Sequence, residues 1–361
     1  MQVHQFATSL TYGDAISDEM LEIRKCLKAE GYESEIFVRF FDPRLAGLIK
    51  DYREYRRFSS PDNVVIFHFS IGSPVSKVFF RIPDKRIMIY HNITPYEFFV
   101  DTHRILTREC YKGRLELRQF VDKVDLALGD SDYNRRELAE AGYPATGVLP
   151  ILMDFDKFDG PDDPVTREVF DTGKTTLLYV GRVMPAKKFE DVIRTFAFYR
   201  KHFNRDSQLL LVGEFRGFER YMAGLQDLVA RLDLPDVHIT GHVEFEGLLA
   251  CFRLADVYLS LSEHEGFCVP VLEAFHLKLP VVAFDAGAVA ETMNGGGVVL
   301  KDKDPFRTAA VVDRVVRDRD LRAKLIAAGT KALARYERAN VRRILMEHVA
   351  NVAKMKKGIR G

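Results

Sequence analysis

The feature that most constrains this chain is an alternation of short β-branched runs with longer amphipathic ones, and it occurs twice. VVIFHF (Val64–Phe69), RIMIY (Arg86–Tyr90), TTLLYV (Thr175–Val180), QLLLV (Gln208–Val212) and VYLSL (Val257–Leu261) read as buried strands. Helical patterns lie between such runs, at Ser17–Glu30, Tyr133–Glu140, Lys188–His202, Gly217–Leu232 and Glu246–Leu254. Strand–helix alternation predicts parallel sheets covered on both faces, because a parallel connection has to cross over the sheet. The pattern pauses at ILMDFDKFDGPDDPVTREVFD (Ile151–Asp171), rich in Asp, Pro and Gly, where an interdomain linker is expected. With 361 residues the chain is too long for one core. The expected architecture is therefore α/β with two Rossmann-like, doubly wound domains, at 1–163 and 164–339. Ligands would bind in a cleft between the carboxyl ends of their strands. A basic amphipathic stretch, Ala339–Lys357, closes the chain; its helix, about 340–361, is expected to cross back to the first domain.

Charge and cysteine content exclude several classes. A net charge of +1 gives no global argument for nucleic acid. Acidic residues outnumber basic ones up to Asp163 and the reverse holds beyond it, so an anionic ligand would prefer the second half. Cys26, Cys110, Cys251 and Cys268 have no CxxC spacing, which argues against a zinc site or a disulfide framework and suits a reducing compartment. The first twenty residues lack the basic and apolar regions of a secretory leader, and no apolar run approaches the roughly 20 residues that span a bilayer. A cytoplasmic protein is expected, with any membrane contact peripheral, at the inner face.

SEHEGFCVPVLEAF (Ser262–Phe275) reads as a loop entering a helix, with Pro270 in its first turn. Glu265 then sits in the loop and Glu273 on the helix, while the amides of Gly266, Phe267, Cys268 and Val269 lie near the helix start. Free amides and the positive end of the helix dipole bind anions. Two acids flanking such a site suit the hydroxyls of a sugar–diphosphate–ribose ligand. The plainer reading is a dipole-stabilised acid plus a surface glutamate. LLYVGRVMPAKKFEDVIRTF (Leu177–Phe196) is again strand, glycine loop and helix. Gly181 and Arg182 follow the strand and Lys187 opens the helix, so a guanidinium and an ammonium are offered to a diphosphate. Its plainer reading is a loop arginine and a solvated lysine.

Together VGRVMPAK and EGFCVPVLE resemble the donor domain of retaining glycosyltransferases of the GT-B fold, specifically glycosyltransferase family 4. SQLLLVGE, VHITGHVEFEGLLACFRLADVYLSLSEHEGF, LPVVAFDAGAVAETM, SDYNRRELAEAG and ILMDFDKFD extend the resemblance over nearly the whole chain. There are departures. Lys188 and Cys268 stand where many members have glycine, Ala290 stands where many have proline, and the family's N-terminal glycine pair is reduced to Gly13 in TYGDAISDEM.

The resemblance implies transfer of a sugar from a nucleotide diphosphate-sugar, UDP- or GDP-linked, with retention. The acceptor would be a hydroxyl of a glycan, lipid-linked or small molecule, and no cofactor would be required. Arg182, Lys187 and the amides near Gly266–Cys268 would stabilise the leaving diphosphate without a metal. Glu265 would hold donor-sugar hydroxyls, Glu273 the ribose, and Gly13 would let a first-domain loop approach the diphosphate. His91, in IMIYHNITP, matches the family's histidine that faces the donor sugar. His242 and Val243 lie in the nucleobase loop, where backbone contacts are expected. Loss of Glu265 or Lys187 is expected to abolish transfer with the fold intact. Asp154-Phe155-Asp156 mimics an Asp-x-Asp metal motif but falls in the linker, so no metal is expected there. Arg104, Arg108, Lys112, Arg114 and Arg118, with Ile105, Leu106, Leu115, Leu117 and Phe120 between them, could lie on an anionic membrane; the interrupting acids favour a solvated face. Two other readings compete: a catalytically silent nucleotide-sugar-binding module, and a GT-B synthase or phosphorylase acting on a soluble sugar. A nicotinamide dehydrogenase would need GxGxxG after a first-domain strand, and none is present.

Overall fold

The computed structural model describes residues 1–355. The chain divides into two compact units, one made of 1–96, 105–154 and the chain from 335, the other of 97–104 and 155–334. Of the basic tail, Lys356, Lys357 and Arg360 lie outside the described residues.

The first unit holds a parallel seven-stranded sheet built from β1 (Val3–Leu10), β2 (Ile36–Phe41), β3 (Ile49–Asp51), β4 (Val64–Phe69), β5 (Lys85–Tyr90), β6 (Leu126–Gly129) and β7 (Thr146–Val148). Their order is β3-β2-β1-β4-β5-β6-β7. The second unit repeats the plan with β8 (Thr175–Val180), β9 (Ser207–Val212), β10 (Val237–Gly241), β11 (Val257–Ser260), β12 (Val281–Phe284) and β13 (Val298–Leu300), in the order β10-β9-β8-β11-β12-β13. Both are α/β and doubly wound, as the alternation predicts. In each, the order reverses between the first strand and the fourth (β1 and β4, β8 and β11). The loops leaving those neighbours diverge to opposite faces and open a crevice at their carboxyl ends.

Several elements differ from their sequence signals. β1 is buried although its run, VHQFATSL, is interrupted by polar groups; His4 and Gln5 are 1% and 0% exposed. Their hydrogen bonds satisfy them inside, which an apolar-run criterion does not register. The first helix starts at Ala15, where the Asp14 carboxylate accepts from the Ser17 amide. The helix after β8 begins at Phe189, not Lys188, because Lys188 takes the left-handed conformation (φ 51°) and Lys187 closes a 3-10 turn, Pro185–Lys187. The expected linker is not featureless: Asp163 caps a short helix, Pro164–Phe170, which packs on the helix Phe245–Leu254.

The helix Arg338–Lys354 belongs to the first unit. Its Val341, Leu345, Val349 and Val352 join Val3, Ile23, Val64, Ile66, Ile87 and Leu128 in one core cluster. Among the described residues no helix is long and apolar enough to cross a membrane.

Candidate functional site

In the second unit the loops leaving β8 and β11 meet at the strand-order reversal. Lys187 Nζ lies 2.6 Å from Glu265 Oε1, and the side chains are only 18% and 7% exposed. Burial alone would lower the Lys187 pKa, but the Glu265 carboxylate outweighs it and raises it, so the ammonium keeps its charge. The two loops are stitched together behind this pair. The Glu263 amide donates to the Ala186 carbonyl at 2.9 Å. The buried Tyr179 hydroxyl donates to the Lys187 carbonyl (3.0 Å) and lies 2.8 Å from Ser262 Oγ. Lys303 bridges Glu263 (2.6 Å) and Asp191 (2.8 Å), and Lys188 lies 3.2 Å from Glu263.

Cys268 precedes the helix Val269–His276 with φ 76°, and Pro270 is in its first turn. This kink re-aims the chain from loop into helix. Lys188 and Cys268, the two departures from glycine named above, are thus both left-handed positions, where glycine is the residue without steric cost. The buried Cys268 thiol is pushed well above its ordinary pKa, chiefly by burial and then by the Glu265 charge, so it is no thiolate nucleophile. Glu273 is half-buried on the same helix.

Glycines that the motif reading left without a role press on this site. At Gly287 (φ 59°) a Cβ would stand 2.2 Å from the Glu265 carbonyl oxygen, and the adjacent Ala288 amide donates to that oxygen at 3.0 Å. At Gly213 a Cβ would stand 1.8 Å from the Gly181 carbonyl oxygen. Both sit in stretches matched only as whole segments, DAGAVAE and LLVGE. The signal at Gly213 was a single glycine directly after a buried strand; Gly287 stands three residues beyond β12 and carried no comparable signal.

The remaining expected residues are dispersed. Arg182 is exposed; its guanidinium lies 5.5 Å from the Phe218 ring centre and donates to the Arg216 carbonyl at 3.4 Å, so the structure does not bring it against Lys187. Gly181 is half-exposed, with Tyr179 and Lys187 as its side-chain neighbours. His242 is exposed, 3.7 Å from Glu244, just beyond β10, and Val243 follows it half-buried. Phe267 is buried and its carbonyl accepts from Thr292. Gly266 and Val269 are half-buried. Asp154 and Asp156 flank Phe155, whose ring stacks on His276 at 5.4 Å. Neither belongs to a metal-ligand cluster among the described residues.

In the first unit Gly13 (φ 74°) is exposed in the turn after β1, beside Asp14. His91 follows β5, and its side chain is 1% exposed with both ring nitrogens engaged: Nδ1 lies 3.3 Å from Asp130 Oδ2 and Nε2 lies 3.0 Å from His68 Nδ1. Glu19, His68 and Asp130, which carried no role in the sequence reading, surround it. A polar histidine inside the run VVIFHF was the available signal.

Residues 165–332 match the family model described as glycosyl transferases group 1. A D-inositol 3-phosphate glycosyltransferase of Corynebacterium jeikeium is 30% identical over 236 residues, 60% of this chain and 55% of that protein. A GDP-mannose-dependent alpha-(1-6)-phosphatidylinositol monomannoside mannosyltransferase of Mycobacterium tuberculosis is 28% identical over 233 residues, 60% of this chain and 59% of that protein. The chain thus spans little more than half the length of these curated relatives. Among solved structures, Anabaena HepE in complex with UDP and glucose superposes with a TM-score of 0.76 at 16% identity, covering 97% of this chain and 100% of that one. The sucrose-phosphate synthase of Thermosynechococcus elongatus superposes with a TM-score of 0.76 at 16% identity, covering 97% and 98%.

Proposed function

The chain has the GT-B fold and its second domain is that of the group 1 glycosyl transferases; on that premise we propose that the protein moves a sugar from a nucleotide diphosphate-sugar to an acceptor hydroxyl, with retention and without a metal. One observation carries this reading: a buried lysine–glutamate pair at the strand-order reversal, beside a kinked helix start. Lys187 supplies a held cation to the leaving diphosphate, and the amides of Gly266, Phe267, Cys268 and Val269 add fixed donors. As the sugar–phosphate bond breaks, negative charge grows on the diphosphate, so groups already in place stabilise the transition state without reorganising. Arg182 turns from Phe218 onto the diphosphate when donor is bound. Glu265 is shared between Lys187 and the donor-sugar hydroxyls. Glu273, a turn into the helix Val269–His276, holds the ribose hydroxyls, and His242 and Val243 border the base.

Retention, membership of family 4 and independence from metal rest on the resemblance of VGRVMPAK and EGFCVPVLE. The relatives' names favour a GDP-linked donor and an inositol phosphate or phosphatidylinositol acceptor, and the UDP-bound solved structure favours a UDP-linked donor; a cytoplasmic location is part of the proposal on the sequence alone. A peripheral membrane contact is part of the proposal because Ile105, Tyr111 and Leu115 are 62%, 48% and 44% exposed, with Arg108 and Lys112 among them on the helix Arg104–Gln119. Arg114 is not part of that face: it donates to Glu137 (2.7 Å) and to the Ile93 carbonyl. Co-sedimentation with vesicles containing anionic lipid tests the contact; equal recovery with neutral vesicles removes it.

The deciding experiment is a thermal-shift screen against UDP-, GDP- and ADP-sugars, with Glu273→Ala in parallel. Stabilisation by one nucleotide class, weakened in the variant, supports the donor assignment. Stabilisation without turnover of any acceptor favours a silent binding module. Turnover only with a free sugar or sugar phosphate favours a synthase. Activity lost in EDTA and restored by a divalent ion removes the metal-free mechanism.

A further inference from the structure

The first domain buries a chain of polar side chains that runs from Gln5, in the first half of β1, to the carboxyl ends of β4, β5 and β6, and its donors and acceptors can be assigned from one fixed point. The Met20 carbonyl only accepts, and Gln5 Nε2 lies 3.0 Å from it. The Gln5 amide is thereby oriented, and its Oε1 faces His68 Nε2 at 3.0 Å. An amide oxygen also only accepts, so His68 Nε2 carries a proton. His68 is 2% exposed and burial drives its pKa well below the ordinary value, so it is neutral and its Nδ1 is a lone pair. That lone pair lies 3.0 Å from His91 Nε2, which must therefore be protonated.

The other side of His91 is fixed in the same way. Asn134 Oδ1 accepts from Asn92 Nδ2 (2.7 Å), so Asn134 Nδ2 is the group that donates to Asp130 Oδ1. Asp130 thus accepts through one oxygen, and its second lies 3.3 Å from His91 Nδ1. Glu19 Oε2, fully buried and with no hydrogen-bond partner, stands 3.7 Å from His91 Nε2. Asp14, whose carboxylate caps the helix Ala15–Ala29 through Ser17, adds a third negative charge that acts on the ring through space. Burial alone would lower the His91 pKa; the Asp130 hydrogen bond first, then the Glu19, Asp130 and Asp14 charges, outweigh it and raise it, the Glu19 share growing only as that carboxyl, itself held up to about 7 by burial, loses its proton.

Glu19, His68 and His91 also bring three ligand-type atoms within 4.8 Å of one another. A shared metal would need the two imidazole lone pairs to converge on a point off the line between the rings. Here the rings are coplanar within 5°, with centroids 5.2 Å apart. At a nitrogen–nitrogen separation of 3.0 Å, that centroid distance is reached only when the two nitrogens point straight at each other. This is the geometry of an N–H···N hydrogen bond.

We propose that Gln5, His68 and Asp130 are positioning residues that hold His91 as an imidazolium, so that this histidine serves the transfer reaction as a fixed cation and not as an acid or base. The proposal rests on the reading that the protein is a glycosyltransferase in which His91 takes part.

Long-range proton–nitrogen spectra of the full chain, labelled with ¹⁵N-histidine, test it directly. The expected result is one histidine, absent in His91→Gln, with both ring nitrogens protonated from pH 6 to pH 8, and another, absent in His68→Leu, in the neutral Nε2–H form. In His68→Leu the His91 signal should titrate about one pH unit or more lower. Its kcat should fall about tenfold at an unchanged donor KM, with a new bend in the pH profile. If His68→Leu does not fold, the wild-type spectra still decide. A His91 that titrates near neutrality in the wild type, a proton on His68 Nδ1, or one equivalent of zinc retained through EDTA dialysis overturns the proposal. Unaltered kcat and pH profile in a folded His68→Leu overturn the positioning role while leaving the glycosyltransferase reading intact. A wild type with no transferase activity sinks that reading, and the catalytic part of the proposal with it, although the spectra remain interpretable.

Discussion

At the scale of residues, the Lys187–Glu265 pair changes what a single substitution can report. Lys187→Ala leaves a nearly buried carboxylate without its cation, and breaking such a pair costs about 3–5 kcal/mol. Loss of transfer in Lys187→Ala would therefore mix a chemical effect with a structural one, contrary to the expectation of an intact fold. Lys187→Met with Glu265→Gln removes both charges together. Both single variants and the double should lose transfer by about 10²–10³-fold. The double should melt closer to the wild type than Lys187→Met does. A double whose stability loss equals the sum of the two singles' losses would show that the pair contributes nothing to stability. A different residue sets the acid limit. His4 is buried, with Nε2 2.9 Å from Gln2 Oε1 and Nδ1 accepting from the Glu35 amide at 3.2 Å. Burial, and then the Lys50 charge, lower its pKa to about 4. Between roughly pH 6.5 and 4 the unfolded chain binds a proton that the folded chain does not, so stability falls as pH falls. Glu19 acts in the opposite sense: burial raises its carboxyl to about 7, so its contribution is present in acid and is lost as pH rises through about 7. His4→Gln keeps the side-chain acceptor without the titration. Chemical denaturation across pH 4 to 8 should show a shallower acid limb in that variant, and an unchanged limb would remove His4 as its cause.

At the scale of elements, the site depends on how closely loops approach. The loop after β12 lies on the Glu265 carbonyl and the end of β9 lies on the Gly181 carbonyl. A methyl group at Gly287 or Gly213 has to displace backbone, not a flexible side-chain end. Gly287→Ala should move Glu265 off Lys187 and weaken donor binding at least about tenfold, since sub-ångström placement governs such sites. Calorimetric titration with the donor nucleotide reads this; wild-type affinity in Gly287→Ala would mean that the loop yields. Gly224 faces open space in a helix, so Gly224→Ala serves as the neutral control. These contacts show why the site was partly legible in the sequence. Lys187, Glu265 and the kinked helix start each leave a local signature: a cation after a strand–glycine run, an acid before a proline-opened helix. Gly213 and Gly287 owe their roles to backbone far away in sequence, and a lone glycine says nothing of what approaches it. The strands show the same division. β4, β8, β9 and β11 were legible because each carries a run of apolar residues buried on both faces, with polar residues only near its ends. β1 was not, because its polar positions are satisfied by partners such as Met20, Glu35 and His68, which only the fold brings near.

At the scale of the whole molecule, the chain returns to its starting domain to finish that domain's core. The helix Arg338–Lys354 buries Val341, Leu345, Val349 and Val352 against β4 and β5 and the helix Ala15–Ala29. Arg338 donates to Glu22 at 2.7 Å, Arg342 pairs with Glu30, and Lys85 donates to the Ala353 carbonyl. Four aliphatic side chains of this kind contribute about 1.5–3 kcal/mol each on burial. Their sum, roughly 6–12 kcal/mol, is as large as the net stability of a typical domain. The exposed Arg342–Glu30 pair adds at most about 1 kcal/mol, so packing, not surface charge, decides the outcome. A chain ending at Tyr336 should therefore lose the first domain's cooperative transition in calorimetry. The second domain, whose β8–β13 sheet and Lys187–Glu265 pair lie wholly within 155–334, should keep its own transition and its response to nucleotide. Leu345→Ala in the full chain gives the graded version. It should cost about 2–5 kcal/mol, with the loss confined to the first domain's transition. If the truncated chain instead loses both transitions together, the two units fold as one cooperative body, and the last helix stabilises the donor-binding half as well as its own.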